Sequence, residues 1–85
     1  MEYLVVAFRS RAQTIKFSEY LRLNGIYGEI VNTPKEAGVG CGLSVKTSKA
    51  NYAIMKKAVY YSKLDTFAGV FSVSVYGGKR IVRSV

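Results

Sequence analysis

Few residues in this chain could do covalent chemistry, and one stands apart. The single cysteine, Cys41, lies in the run Thr33-Pro34-Lys35-Glu36-Ala37-Gly38-Val39-Gly40-Cys41-Gly42. Three of the chain's eight glycines fall within four residues of it. Glycine adds no side-chain bulk and allows backbone angles closed to other residues. A sulfur placed there can be approached from several sides and can receive backbone N–H groups. In its thiolate form it would be a nucleophile. The bland alternative is a packing role, because free cysteines commonly fill buried space and Gly-Cys-Gly also suits a small-residue bulge or turn.

The rest of the composition narrows the chemistry. There is no histidine, so the chain cannot build a Cys–His dyad or the nitrogen and sulfur ligand set that zinc prefers. The five acidic residues stand singly, and no carboxylate pair for acid–base work is visible. We therefore expect no metal, no cofactor, and a carrier or accessory protein rather than a stand-alone enzyme. Thirteen Lys and Arg against five Asp and Glu give a net charge of +8. After Glu36 the only acid is Asp65, against eight basic residues. Such a field attracts anions, nucleic acid or acidic partners, although it can also serve solubility alone.

Eighty-five residues make one domain, 1–85, with a thin core. An apolar share of 49% predicts a folded chain. No apolar run approaches the ~20 residues that span a bilayer, and Tyr3 to Phe8 is too short for a signal segment. No membrane association is expected. One cysteine cannot form an internal disulfide, so a reducing, cytoplasmic setting is expected.

The elements that must position Cys41 follow from hydrophobic patterning. Glu2 to Phe8 reads as a central strand, β-branched and nearly all apolar. Ser10 predicts an N-cap for a helix over Arg11 to Leu23, stopped by Asn24-Gly25. Its inward face would carry Thr14, Phe17 and Leu21. Ile26 to Val31 reads as a second strand weakened by Gly28, and Leu43 to Thr47 as a third. Ser48 predicts the cap of a second helix running to about Leu64, with Ile54, Met55, Ala58 and Tyr61 inward and Lys49, Lys56, Tyr60 and Lys63 outward. Phe67 to Tyr76 alternates as a fourth strand. Gly77-Gly78 reads as a tight turn into a short fifth strand over Lys79 to Val85.

This order predicts an α+β, ferredoxin-like βαββαβ sandwich. Two helices would cover one face of a four-stranded antiparallel sheet, with the C-terminal strand as an addition. The other face would be open to solvent or a partner. The same topology brings the loop between strands two and three to the end of the sheet that holds Phe8-Arg9-Ser10-Arg11 and Lys63. Cys41 would then face a helix N-terminus between two arginines, where partial positive charge and unpaired N–H groups favour a thiolate or a bound anion. The candidate site is Cys41 as the reacting residue, with Arg9, Ser10, Arg11, Lys35, Gly40 and Gly42 around it.

Three stretches resemble a known family, the selenium/sulfur carrier-like domains. Tyr3-Leu4-Val5-Val6-Ala7-Phe8-Arg9-Ser10 is similar to the family's opening strand and turn. Tyr20-Leu21-Arg22-Leu23-Asn24-Gly25-Ile26 is similar to its first-helix exit. Thr33-Pro34-Lys35, then five residues, then Cys41-Gly42-Leu43-Ser44-Val45 resembles its most specific signature. The resemblance covers roughly residues 3 to 75 and implies a ferredoxin-like fold and sulfur or selenium handling at Cys41. The tail after Gly77 is longer and more basic than the family pattern.

Three functions fit these residues. In the first, Cys41 accepts sulfur or selenium and hands it to a protein partner, a donor or acceptor enzyme. The second is nucleic-acid binding on an open sheet through Tyr3, Tyr27 and Tyr76. It is the weaker reading, because no stretch matches the spaced aromatics of RNA-binding sheets. The third is a structural or regulatory module that dimerises through the sheet or the 79–85 tail. A homo-oligomer is compatible with the first.

Overall fold

β1 (Glu2–Phe8) is the central strand of the computed structural model, which describes residues 1–85. Every residue from Leu4 to Phe8 is buried, so both faces of the strand feed apolar layers and no polar alternation is present. In chain order follow α1 (Arg11–Leu23), β2 (Glu29–Asn32), β3 (Leu43–Ser48), α2 (Tyr52–Ser62), β4 (Phe67–Tyr76) and β5 (Lys79–Ser84). The fold is α+β, with two helices and a five-stranded antiparallel sheet of order β2-β3-β1-β4-β5. The C-terminal strand expected as an addition to four is a full member of the sheet, which therefore has five strands rather than four. Gly77 and Gly78 take φ of 54° and 80°, the left-handed pair that a two-residue hairpin needs. They return the chain in register, with Tyr76 opposite Lys79 and Phe71 opposite Ser84.

Both helices contribute to one core. Ser10 caps α1 by accepting from the Gln13 N–H at 3.1 Å. Thr14, Phe17 and Leu21 point inward, as their spacing predicts. Phe17, Leu21, Met55 and Ala58 meet Leu4, Val6, Phe8, Val45 and Val70. The Phe8 ring lies 5.0 Å from Phe17 and 6.0 Å from Phe67, tilted against both, which suits the ring quadrupoles.

The inward face of α2 differs from the one expected. Ile54 is 45% and Tyr61 63% exposed, while Met55, Ala58 and half-buried Val59 carry the packing. Ser48 caps a 3-10 turn over Lys49–Asn51 rather than the α-helix itself. The helix starts at Tyr52, and its apolar stripe is rotated and narrow. No helix is long and apolar enough to cross a membrane.

The second sheet face is not open. Val5, Ala7, Phe71 and Val73 are buried there. Residues 33–42 fold across it, with Ala37 packed on the cluster. Glu36 accepts from Arg80 of β5 at the sheet's far edge. Half-buried Tyr3, Val75 and Val82 complete the layer, and the Lys46 ammonium sits 4.4 Å from the centre of the Tyr3 ring. The expectation of a bare face fails because the β2–β3 connection is long enough to cover this apolar surface itself.

Candidate functional site

Residues 33–42 form a closed loop. The Thr33 N–H donates to the Gly42 carbonyl at 2.9 Å, and the Thr33 and Ser44 hydroxyls share a 2.6 Å hydrogen bond. Pro34 is buried at the start. A 3-10 turn over Lys35–Ala37 ends in Gly38, at φ 65°. The Cys41 N–H then donates to the Phe8 carbonyl at 3.0 Å, fixing the cysteine at the end of β1. Gly40 makes that approach workable. Its φ is 92°, and a Cβ there would lie 3.1 Å from the Phe8 carbonyl oxygen, so a side chain would meet backbone.

The sulfur is half-buried against the first turns of α1. Sγ lies 3.6 Å from Thr14 Oγ1 and 3.7 Å from the Leu43 carbonyl oxygen. Thr14 is fully buried, and its hydroxyl donates to the Ser10 carbonyl at 3.0 Å. A hydroxyl has one proton to give and can also accept. Beside a thiol, Thr14 keeps its bond to Ser10. Beside a thiolate, it can turn its proton to the sulfur. The Ser10 carbonyl is not orphaned by the turn, because the Thr14 N–H also donates to it at 3.0 Å. The site can therefore hold either protonation state without an unsatisfied buried group.

Electrostatics favour the thiolate. Burial pushes the Cys41 thiol up, but the Leu43 backbone, the Thr14 hydroxyl, the cysteine's own amide and the Arg11 charge together hold it below the usual thiol value.

The other expected residues divide. Arg11 acts on the sulfur through its charge. Arg9 is engaged elsewhere: its Nη1 donates to the Phe67 carbonyl at 3.3 Å, and its N–H to the Thr66 carbonyl at 2.7 Å, tying α1's entry to the start of β4. The Ser10 hydroxyl is committed to the helix cap, so Ser10 reaches the sulfur only through its carbonyl and Thr14. Lys35, Gly40 and Gly42 line a shallow hollow of about 250 Å³ on the loop, with Thr33, Pro34, Gly38 and Val39. Thr14 is the residue that sequence reasoning missed. Its signal was a hydroxyl placed in line with Phe17 and Leu21 on an otherwise apolar helix face.

No curated protein and no solved structure matches this chain. A family model described as "Putative Se/S carrier protein-like" matches residues 3–66. Those residues run from β1 through the cysteine loop to the end of the α2–β4 connection, well over half of the chain. The chain belongs to this Se/S carrier-like family.

Proposed function

We propose that the protein is a sulfur or selenium carrier that holds its cargo on Cys41. The observation that carries this reading is the 3.6 Å contact between Cys41 Sγ and the hydroxyl of Thr14. It gives a half-exposed sulfur a donor that can follow its ionisation, in a chain with no histidine to act as a base.

The chemistry needs no oxidant and no metal. The Cys41 thiolate attacks the terminal sulfur of a donor persulfide, R–S–SH. An Sγ–S bond forms, the donor's S–S bond breaks, and the donor leaves as its thiolate, R–S⁻. The terminal proton stays with the transferred sulfur. In the second half an acceptor thiolate attacks that sulfur, and Cys41 leaves. A selenosulfide, R–S–SeH, transfers selenium by the same exchange. A lowered pKa suits both halves, since it raises the thiolate fraction for attack and makes Cys41 a better leaving group.

Several narrower readings belong with this one. The order β2-β3-β1-β4 with two helices on one side supports a ferredoxin-like βαββαβ core to which β5 is added. Donor and acceptor would be protein enzymes, and a free working thiol fits a reducing cytoplasm. For self-association the sheet's two outer strands remain, since residues 33–42 occupy the second sheet face; β2 carries Glu29 and no cation, whereas β5, in the 79–85 tail, carries Lys79, Arg80 and Arg83. Nucleic-acid binding draws less support. Tyr3 is half-buried beneath Lys46, Tyr76 donates to Glu2, and Tyr27 lies outside β2, so the three tyrosines share no stacking face.

The test is exposure of the full chain to glutathione persulfide, read by intact mass. The wild type should gain one sulfur atom, which a small thiol then removes. Cys41→Ser should gain none. A wild type that stays unmodified would overturn the reading.

A further inference from the structure

We propose that the groove between α2 and the β4–β5 hairpin is a docking surface for an acidic protein segment with an apolar anchor. It shares no residue with the cysteine site. The groove measures about 480 Å³ and is lined by Leu4, Lys49, Tyr52, Ser72 and Val85. It exists because α2 packs through a narrow stripe, Met55 and Ala58, and leaves the outer part of the sheet uncovered on this side. Leu4 and Val85 give it an apolar floor. Ile81, opposite Ser74 in the sheet, is 48% exposed beside it. That volume admits one or two large side chains.

Charge identifies the occupant. Ser72 stands opposite Arg83, and Tyr76 opposite Lys79, so both cations rise on the groove side of the sheet. Lys49 and Lys56 stand on the other wall. Lys49 is paired with Glu2 at 2.7 Å, and Lys56 donates to the Val85 carbonyl at 3.1 Å. Arg83 and Lys79 have no carboxylate partner, because the structure's ion pairs are Arg22–Glu19, Lys49–Glu2 and Arg80–Glu36. Glu2 is the only acidic side chain here. Glu19 is on α1, Glu29 on β2, Glu36 in the cysteine loop and Asp65 before β4. The first turn of α2 has no acidic residue either.

The strand geometry adds a binding mode. β5 is an outer strand of the sheet, so its unpaired backbone groups can accept an extended segment. Alternate side chains of that segment would enter the groove while acids meet Arg83 and Lys79. A second copy is a poor occupant, because each chain carries +8 and cationic edges deter pairing with their like. Nucleic acid would find cations but little to stack on, since the Tyr52 ring already faces the Lys56 ammonium at 5.6 Å.

The probe is a fluorescein-labelled peptide, Glu-Asp-Glu-Leu-Phe-Asp-Glu-Asp, titrated into the full chain at low salt and followed by anisotropy and by amide shifts of the ¹⁵N-labelled protein. Saturable binding is expected, with shifts at Tyr52, Ser72, Ile81 and Arg83. Replacing Leu-Phe in the peptide by Ser-Ser should weaken it about tenfold. The double variant Lys79→Glu, Arg83→Glu should do the same or more, without altering the fold, because both side chains are exposed and unpaired. Absence of saturable binding would overturn the proposal. So would shifts centred elsewhere, equal binding to the double variant, or tighter binding of a uridine oligonucleotide at the same amides.

Discussion

Arg80 holds the Glu36 carboxylate with two nitrogens, Nε at 3.2 Å and Nη2 at 2.8 Å. The contact joins β5, which lies beyond the residues matched by the family, to the loop that carries Cys41. The C-terminal hairpin is therefore part of what shapes this loop.

Removing the clamp should loosen the loop more than the fold. Both side chains are about two-fifths exposed, where ion pairs contribute little to global stability. The Arg80→Gln variant should show faster amide exchange and lower order parameters at Ala37 to Gly40, with an unchanged unfolding midpoint. The Arg80 hydrogen bond is the largest reason that the Glu36 carboxyl sits below its ordinary value of 4.5. A carboxyl depressed on folding contributes its stabilisation fully above its unfolded pKa and loses it as pH falls through the folded one. Acidification of the wild type through that window should reproduce the loosened loop of the variant. Relaxation measurements that find these amides equally ordered at both pH values would contradict the clamp.

Gly40→Ala and Gly42→Ala separate conformation from space. Their φ angles are nearly equal, 92° and 93°, so both variants carry the left-handed cost, about 1 kcal/mol. Only at Gly40 does the added Cβ also meet backbone, 3.1 Å from the Phe8 carbonyl oxygen, whereas Gly42 faces open space. Urea unfolding should place Gly40→Ala lower than Gly42→Ala by a further ~1 kcal/mol or more. Matching midpoints would show that the Phe8 approach is not tight.

What could be read in the sequence was what local patterning controls. The bounds of β1, α1 and β4 coincide with their apolar runs and caps, and Gly77-Gly78 announced its hairpin. The apolar pattern starts β2 at Ile26, three residues before the strand begins at Glu29, because Ile26 is apolar for the core rather than for a strand. It packs on the helix-side cluster, beside Gly28, where any Cβ would lie 2.7 Å from Val45 Cγ1. The covering of the second face was hidden because it rests on a long-range ion pair and one alanine, Ala37. At the site, the topology brought Cys41 to the start of α1, where the Arg11 charge acts on the sulfur. It could not separate Arg9 from Arg11, since the hydrogen bond that takes Arg9 to the Phe67 carbonyl spans 58 residues of sequence. Thr14 looked like a core residue, and it is one, with its hydroxyl turned to the sulfur.

Thr14→Val should change reactivity without changing shape. The side chains are nearly isosteric, and only the hydroxyl is lost. With that donor gone, the Cys41 pKa should rise, and alkylation near neutral pH should slow severalfold. At high pH, where both proteins are fully thiolate, the rates should converge. Thr14→Ser should stay close to wild type. A rate deficit in Thr14→Val that persists at high pH would mean that the residue acts through access to the sulfur rather than through its charge state.

The most direct test of the account is the pH dependence of Cys41 alkylation by iodoacetamide in the folded wild-type chain. Burial is opposed by the Leu43 backbone, the Thr14 hydroxyl, the cysteine's own amide and the Arg11 charge, which together outweigh it. The thiol should therefore titrate below the ~8.5 of a free cysteine and react readily at neutral pH. A midpoint at or above that value, or a sulfur that reacts only after unfolding, would contradict the account and leave Cys41 a packing residue.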